Sequence, residues 1–63
     1  MCLSTVYKGS EPVSQNILAE YVTNLNIMDG QIDMTDITGE ALTVRGSLRS
    51  VDLVSNRIFL DLE

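Results

Sequence analysis

Residues 40–63, EALTVRGSLRSVDLVSNRIFLDLE, decide the fold. Apolar side chains recur at Leu42, Val44, Leu48, Val51 and Leu53, then at Ile58, Leu60 and Leu62 in alternation with Phe59 and Asp61. Spacing close to two residues is that of a strand, whose successive side chains point to opposite faces. Ser55-Asn56 supplies a turn between the two runs. Gly46 stands inside the first run, where a glycine marks a bulge or a sharp bend. Bending one long strand across two half-sheets is how a small barrel closes.

The same pattern extends upstream. Residues 2–8, CLSTVYK, are β-branched and aromatic, with Leu3, Thr5 and Tyr7 on one face and Cys2, Ser4 and Val6 on the other. This predicts a first strand over 2–8. Gly9-Ser10-Glu11-Pro12 is turn chemistry, because Pro12 fixes its own φ and restricts Glu11. The stretch VSQNILAEYVTNLNIMDG, residues 13–30, carries two patterns. Ile17, Leu18, Tyr21 and Val22 sit at helical spacing, whereas Leu25 and Ile27 alternate with Asn24 and Asn26. The expectation is a short strand or single helical turn near 13–19 and a strand from about 20 to 28. Asp29-Gly30 then signals a hairpin, since a type I′ turn needs positive φ at both central positions. Its register sets Ile32 and Met34 opposite Ile27 and Leu25. TDITGE, residues 35–40, is a connection in which Asp36 can form a local side-chain turn and Gly39 can adopt a left-handed conformation.

Short strands with turns roughly every eight to twelve residues, and no helix of three turns, predict an all-β chain. The fold expected is one small antiparallel β-barrel or sandwich domain spanning 1–63. A chain of 63 residues buries only about 60% of the surface its unfolded form exposes, so a lone monomer is marginal. Disulfides, a metal or a partner subunit usually supplement so small a core. One cysteine cannot form an intramolecular disulfide, which leaves a dimer, a metal, or both.

The 44% apolar and 21% charged content belongs to a folded soluble protein rather than a disordered tail. No apolar run approaches the ~18 to 20 residues that span a bilayer, and the N-terminus lacks the basic-then-apolar layout of a secretory signal. The expectation is a cytoplasmic protein with no membrane partner and a reduced thiol. The net charge is −5, and the cations Lys8, Arg45, Arg49 and Arg57 form no cluster. Nucleic acid is therefore a poor electrostatic match.

Catalysis has little to stand on. With no His, no second Cys and no glycine-rich loop before a helix, the usual nucleophile–base pairs and phosphate cradles are missing, and no enzyme is expected. Asp29, Asp33, Asp36 and Glu40 do not follow a calcium-loop spacing and read as turn formers and solvent-facing strand residues. Met28 and Met34 read as packing residues.

Cys2 stands apart by its position. If Met1 is removed, the α-amine and thiolate of Cys2 can close a five-membered chelate ring. If Met1 stays, its amine, the Cys2 amide nitrogen and the Cys2 sulfur can form two fused rings. Nitrogen and sulfur donors in one plane suit a metal with square-planar preference, which points to Ni(II) or Cu(II). A dimer with adjacent N-termini supplies two such pairs. On pattern alone, the competing reading of Cys2 as a small, inert, buried residue stays open.

The start MCLSTVY, the short length, the middle DITGE and the closing VRGSLRSVDLVSNRIFL resemble the CooT family. The resemblance implies a homodimer of small β-barrels of SH3 or Sm-like kind. It also implies a nickel carrier or chaperone role in maturing the nickel-dependent carbon monoxide dehydrogenase, its client enzyme. One square-planar Ni(II) per dimer would be held by the Cys2 thiolate and a Cys2 backbone nitrogen of each protomer. Met1, if retained, would contribute or shield. Members are often described as RNA-binding by analogy with Sm-like folds, a description the acidic balance does not support. The alternative expectation is a non-enzymatic small barrel that binds RNA or protein.

Overall fold

The computed structural model describes residues 3–63. Five strands follow in order: β1 (Ser4–Lys8), β2 (Ile17–Met28), β3 (Gln31–Asp36), β4 (Ala41–Asp52) and β5 (Arg57–Leu62). A single 3-10 turn, Ser14–Asn16, precedes β2. The two alternatives for 13–19 thus resolve to a helical turn, and β2 begins at Ile17 rather than near residue 20. Of the predicted strand 2–8, Ser4–Lys8 is strand and Met1 and Cys2 lie outside the described residues.

The sheet closes on itself in the order β1-β2-β3-β4-β5. Four neighbouring pairs are antiparallel, but the closing pair, β1 with β5, is parallel, from Thr5↔Arg57 to Lys8↔Leu60. The expected antiparallel pairing thus holds for four neighbouring pairs, and the closing pair departs from it. An odd number of strands, each antiparallel to the one before, brings the first and last into the ring pointing the same way.

Two strands of 12 residues make closure possible. β2 pairs with β1 as far as Val22 and with β3 from Val22 onward. Tyr21, at this switch, has φ 56°, a left-handed conformation that is an outlier for a bulky side chain. β4 likewise pairs with β3 up to Arg45 and with β5 from Gly46. A Cβ on Gly46 would strike the Asp61 carbonyl oxygen and lie 2.9 Å from the Leu62 Cα. The glycine permits this close approach, whereas the register shift of β4 falls between Leu48 and Ser50.

The hairpin after β2 has the expected register, Leu25↔Met34 and Ile27↔Ile32, and Asp29 and Gly30 both have positive φ, 51° and 78°. Val6, Val22, Ile32, Met34 and Leu60 form the buried core, with Leu18, Ala19, Leu25, Val44 and Ile58 packed around it. Strand alternation puts Tyr7 and Phe59 on the opposite face of β1 and β5, where their rings stack with centroids 5.3 Å apart. Met34 is core, but Met28 is 74% exposed. Leu42, Leu48 and Val51 of β4 are also exposed, as is Leu53 beyond it, so of these apolar positions in β4 only Val44 packs against the core. No helix is long and apolar enough to cross a membrane among the described residues.

Candidate metal centre

Cys2 and Met1, the residues expected to hold metal, lie outside the described residues. The described chain enters the ring at Ser4, two positions after Cys2 in the sequence. β1 is an interior strand of the ring, held by β2 on one side and β5 on the other. Ser4 pairs with Val22, and Thr5 N–H donates to the Asn56 carbonyl at 3.0 Å. These contacts fix the start of β1 between the β2 switch and the β4–β5 turn.

Both flanks are built by aspartates. On the β2 side Val22 pairs with Asp36, and Ile37 N–H donates to the Tyr21 carbonyl at 3.0 Å. Asp36 Oδ1 accepts the Thr38 hydroxyl at 2.6 Å, the Thr38 N–H at 2.8 Å and the Glu40 N–H at 3.1 Å. The Thr38 hydroxyl above all, aided by these backbone donors, holds the Asp36 carboxyl below its ordinary range. On the β5 side Asp52 Oδ1 accepts the N–H groups of Val54 and Ser55, each at 3.1 Å. The Ser55 N–H leads in lowering its pKa, with the Val54 N–H and the Arg57 charge adding to it.

The β2 switch and the two turns expose large apolar side chains: Tyr21 is 60%, Ile37 54%, Leu53 82% and Val54 95% exposed. Exposed apolar residues thus lie close in sequence to Val22 and Asn56, the backbone partners of Ser4 and Thr5 on the two flanks of β1.

Asp33 and the Asp29 backbone make contacts away from the start of β1. Asp33 Oδ1 accepts from Gln31 at 3.2 Å and from the Thr43 hydroxyl at 2.8 Å, and the Asp29 carbonyl accepts Arg45 at 3.0 Å. Arg45 and Arg49 form separate exposed ion pairs with Glu63 and Asp61. Among the described residues no three His, Cys, Asp or Glu side chains gather where they could hold a metal, and no polar or charged side chain is buried. Sequence reading did not single out the Asp52 cap, although an Asp ahead of Ser55-Asn56 is a usual signal for such a turn. It also gave no sign of the left-handed Tyr21.

No curated protein sequence matches the chain. The family model described as CO dehydrogenase accessory protein CooT matches residues 1–61 of the 63, a span that takes in the Met-Cys start, β1 to β4, all of β5 but its last residue, and both aspartate-built turns. The chain belongs to the CooT family of carbon monoxide dehydrogenase accessory proteins.

Proposed function

We propose that this protein is a non-enzymatic, cytoplasmic Ni(II) carrier or chaperone serving the maturation of a nickel enzyme, with carbon monoxide dehydrogenase as the client its family indicates. The observation that carries the reading is the family match from residue 1 to 61. Nickel is cargo, held between two protomers by the Cys2 thiolate and a Cys2 backbone nitrogen from each, one ion per dimer. Met1, if retained, adds its amine or shields the site.

Donor chemistry supports this assignment. The chain has one Cys and no His, so its only thiolate is Cys2. The carboxylates of Asp36 and Asp52 are occupied by turn donors. A thiolate beside a backbone nitrogen favours a soft-leaning, square-planar ion over hard cations. Binding displaces the thiol proton, so affinity rises with pH.

The dimer is supported by the apolar residues around the start of β1. Covering Tyr21, Ile37, Leu53 and Val54 with a second copy adds burial that a 63-residue core lacks, and it brings two N-termini together in a small barrel pair of SH3 or Sm-like kind.

Titration of wild type and Cys2→Ser with Ni(II), followed by thiolate-to-metal charge-transfer absorption, tests the assignment. Wild type should develop the band to saturation and Cys2→Ser should not. Equal binding by the two proteins would remove Cys2 from the site.

A further inference from the structure

A cavity of about 310 Å³ opens where β2 leaves β3. Leu18, Val22, Met34 and Leu42 give it an apolar wall, and Val22 and Met34 belong to the buried core, so this wall is continuous with the best-packed part of the molecule. Three carboxylates, Glu20, Asp36 and Glu40, complete the rim, and no Lys or Arg lines it. Asp36 is fixed in place by Thr38 and the Glu40 N–H.

The backbone beside this cavity has an open edge. Residues 17–20 pair with β1 through one edge, and pairing with β3 starts only at Val22. Among the described residues their other edge has no strand partner. The Ile37 N–H takes the Tyr21 carbonyl and ends the open stretch. An unpaired edge is a template for an added strand, which supplies affinity through main-chain bonds and specificity through alternate side chains.

An apolar wall, a rim of carboxylates and an open strand edge fit one kind of occupant. We propose that this groove docks an extended segment of a partner protein, alternating apolar and Lys or Arg side chains, as an added strand along residues 17–20. Apolar side chains of that segment enter the cavity, and its cations meet Glu20 and Glu40. A second copy of the chain is a poor occupant. Of its four Lys and Arg residues, Arg45 and Arg49 are already paired with Glu63 and Asp61, and Arg57 neighbours Asp52. Docking here uses neither Cys2 nor nickel, so it stands or falls apart from the metal reading.

The test is amide chemical-shift mapping of the metal-free full chain, titrated with a short synthetic peptide alternating Lys and Val and with its twin alternating Glu and Val. The Lys peptide should give saturable shifts confined to residues 17–22 and 36–42, weakened by salt, and the Glu peptide should give none. Both Glu20 and Glu40 are exposed, so the double variant Glu20→Lys, Glu40→Lys should keep the rest of its spectrum, lose about tenfold or more in affinity for the Lys peptide, and gain affinity for the Glu peptide. The proposal is overturned by absence of saturable shifts, by shifts centred elsewhere, or by equal binding of the two peptides. Concentration-dependent shifts centred on residues 17–20 and 40–42 without peptide, beyond those at Tyr21 and Ile37 that dimerisation itself would give, would assign the groove to a second copy and overturn it as well.

Discussion

Gly46 matters through the backbone it faces. The atoms that a Cβ would meet belong to the main chain of Asp61 and Leu62, which cannot swing aside as a long side chain does. Gly46→Ala should therefore cost about 2 kcal/mol, the usual scale for forced overpacking, out of a total of about 5 kcal/mol or little more for a domain this small. Urea unfolding measures it, and an unchanged midpoint would show that the strands can part at no cost. Asp36 and Asp52 should contribute to the acid limit. Both native pKa values lie below the ordinary 3.8. Their stabilisation is fully present above that value and is lost as pH falls through the lowered native values. Thermal melts in the acid range should show this decline, with a shallower slope in the double variant Asp36→Asn, Asp52→Asn; an identical slope would place the acid transition in other carboxylates.

Among the elements, the hairpin between β2 and β3 was legible down to its register, because Asp29-Gly30 dictates the turn and Leu25, Ile27, Ile32 and Met34 alternate on both sides of it. The β3–β4 connection was equally readable from Asp36 and Gly39. The start of β2 was not, since Ile17, Leu18, Tyr21 and Val22 imitate a helix when a strand contains an irregularity at Tyr21. That irregularity shifts the side-chain phase, and two-residue alternation fails where the pairing changes partner. Nor could alternation tell core from surface in β4: Leu42 keeps two-residue spacing with Val44, yet Val44 packs against the core and Leu42 remains exposed. The parallel closure of β1 on β5 follows from ring topology, which no local pattern carries. Tyr21 provides a test at this scale. A bulky residue at φ 56° carries a strain of order 1 kcal/mol, whereas Asn tolerates that conformation. Tyr21→Asn, measured at concentrations where the chain is monomeric, should unfold at an equal or higher temperature; a clear drop would mean that the ring packs against the monomer.

Over the whole molecule the metal reading depends on what covers the start of β1. Leu53 and Val54 are the most exposed large apolar residues described, at 82% and 95%. Replacing both by Asp should change monomer stability by about 0.5 kcal/mol or less, as exposed substitutions do. Sedimentation should nevertheless show a weakened dimer, and a dimer of unchanged strength would move the interface elsewhere. Cys2 was singled out by the sequence through its chemistry and terminal position. The described residues contribute the surface that would bring two copies of it together. Native mass spectrometry of wild type and Cys2→Ser, with and without Ni(II), tests that union most directly. One nickel ion on two wild-type chains, and none on Cys2→Ser, is the predicted result. Nickel bound to single wild-type chains, or retained by Cys2→Ser, would contradict it.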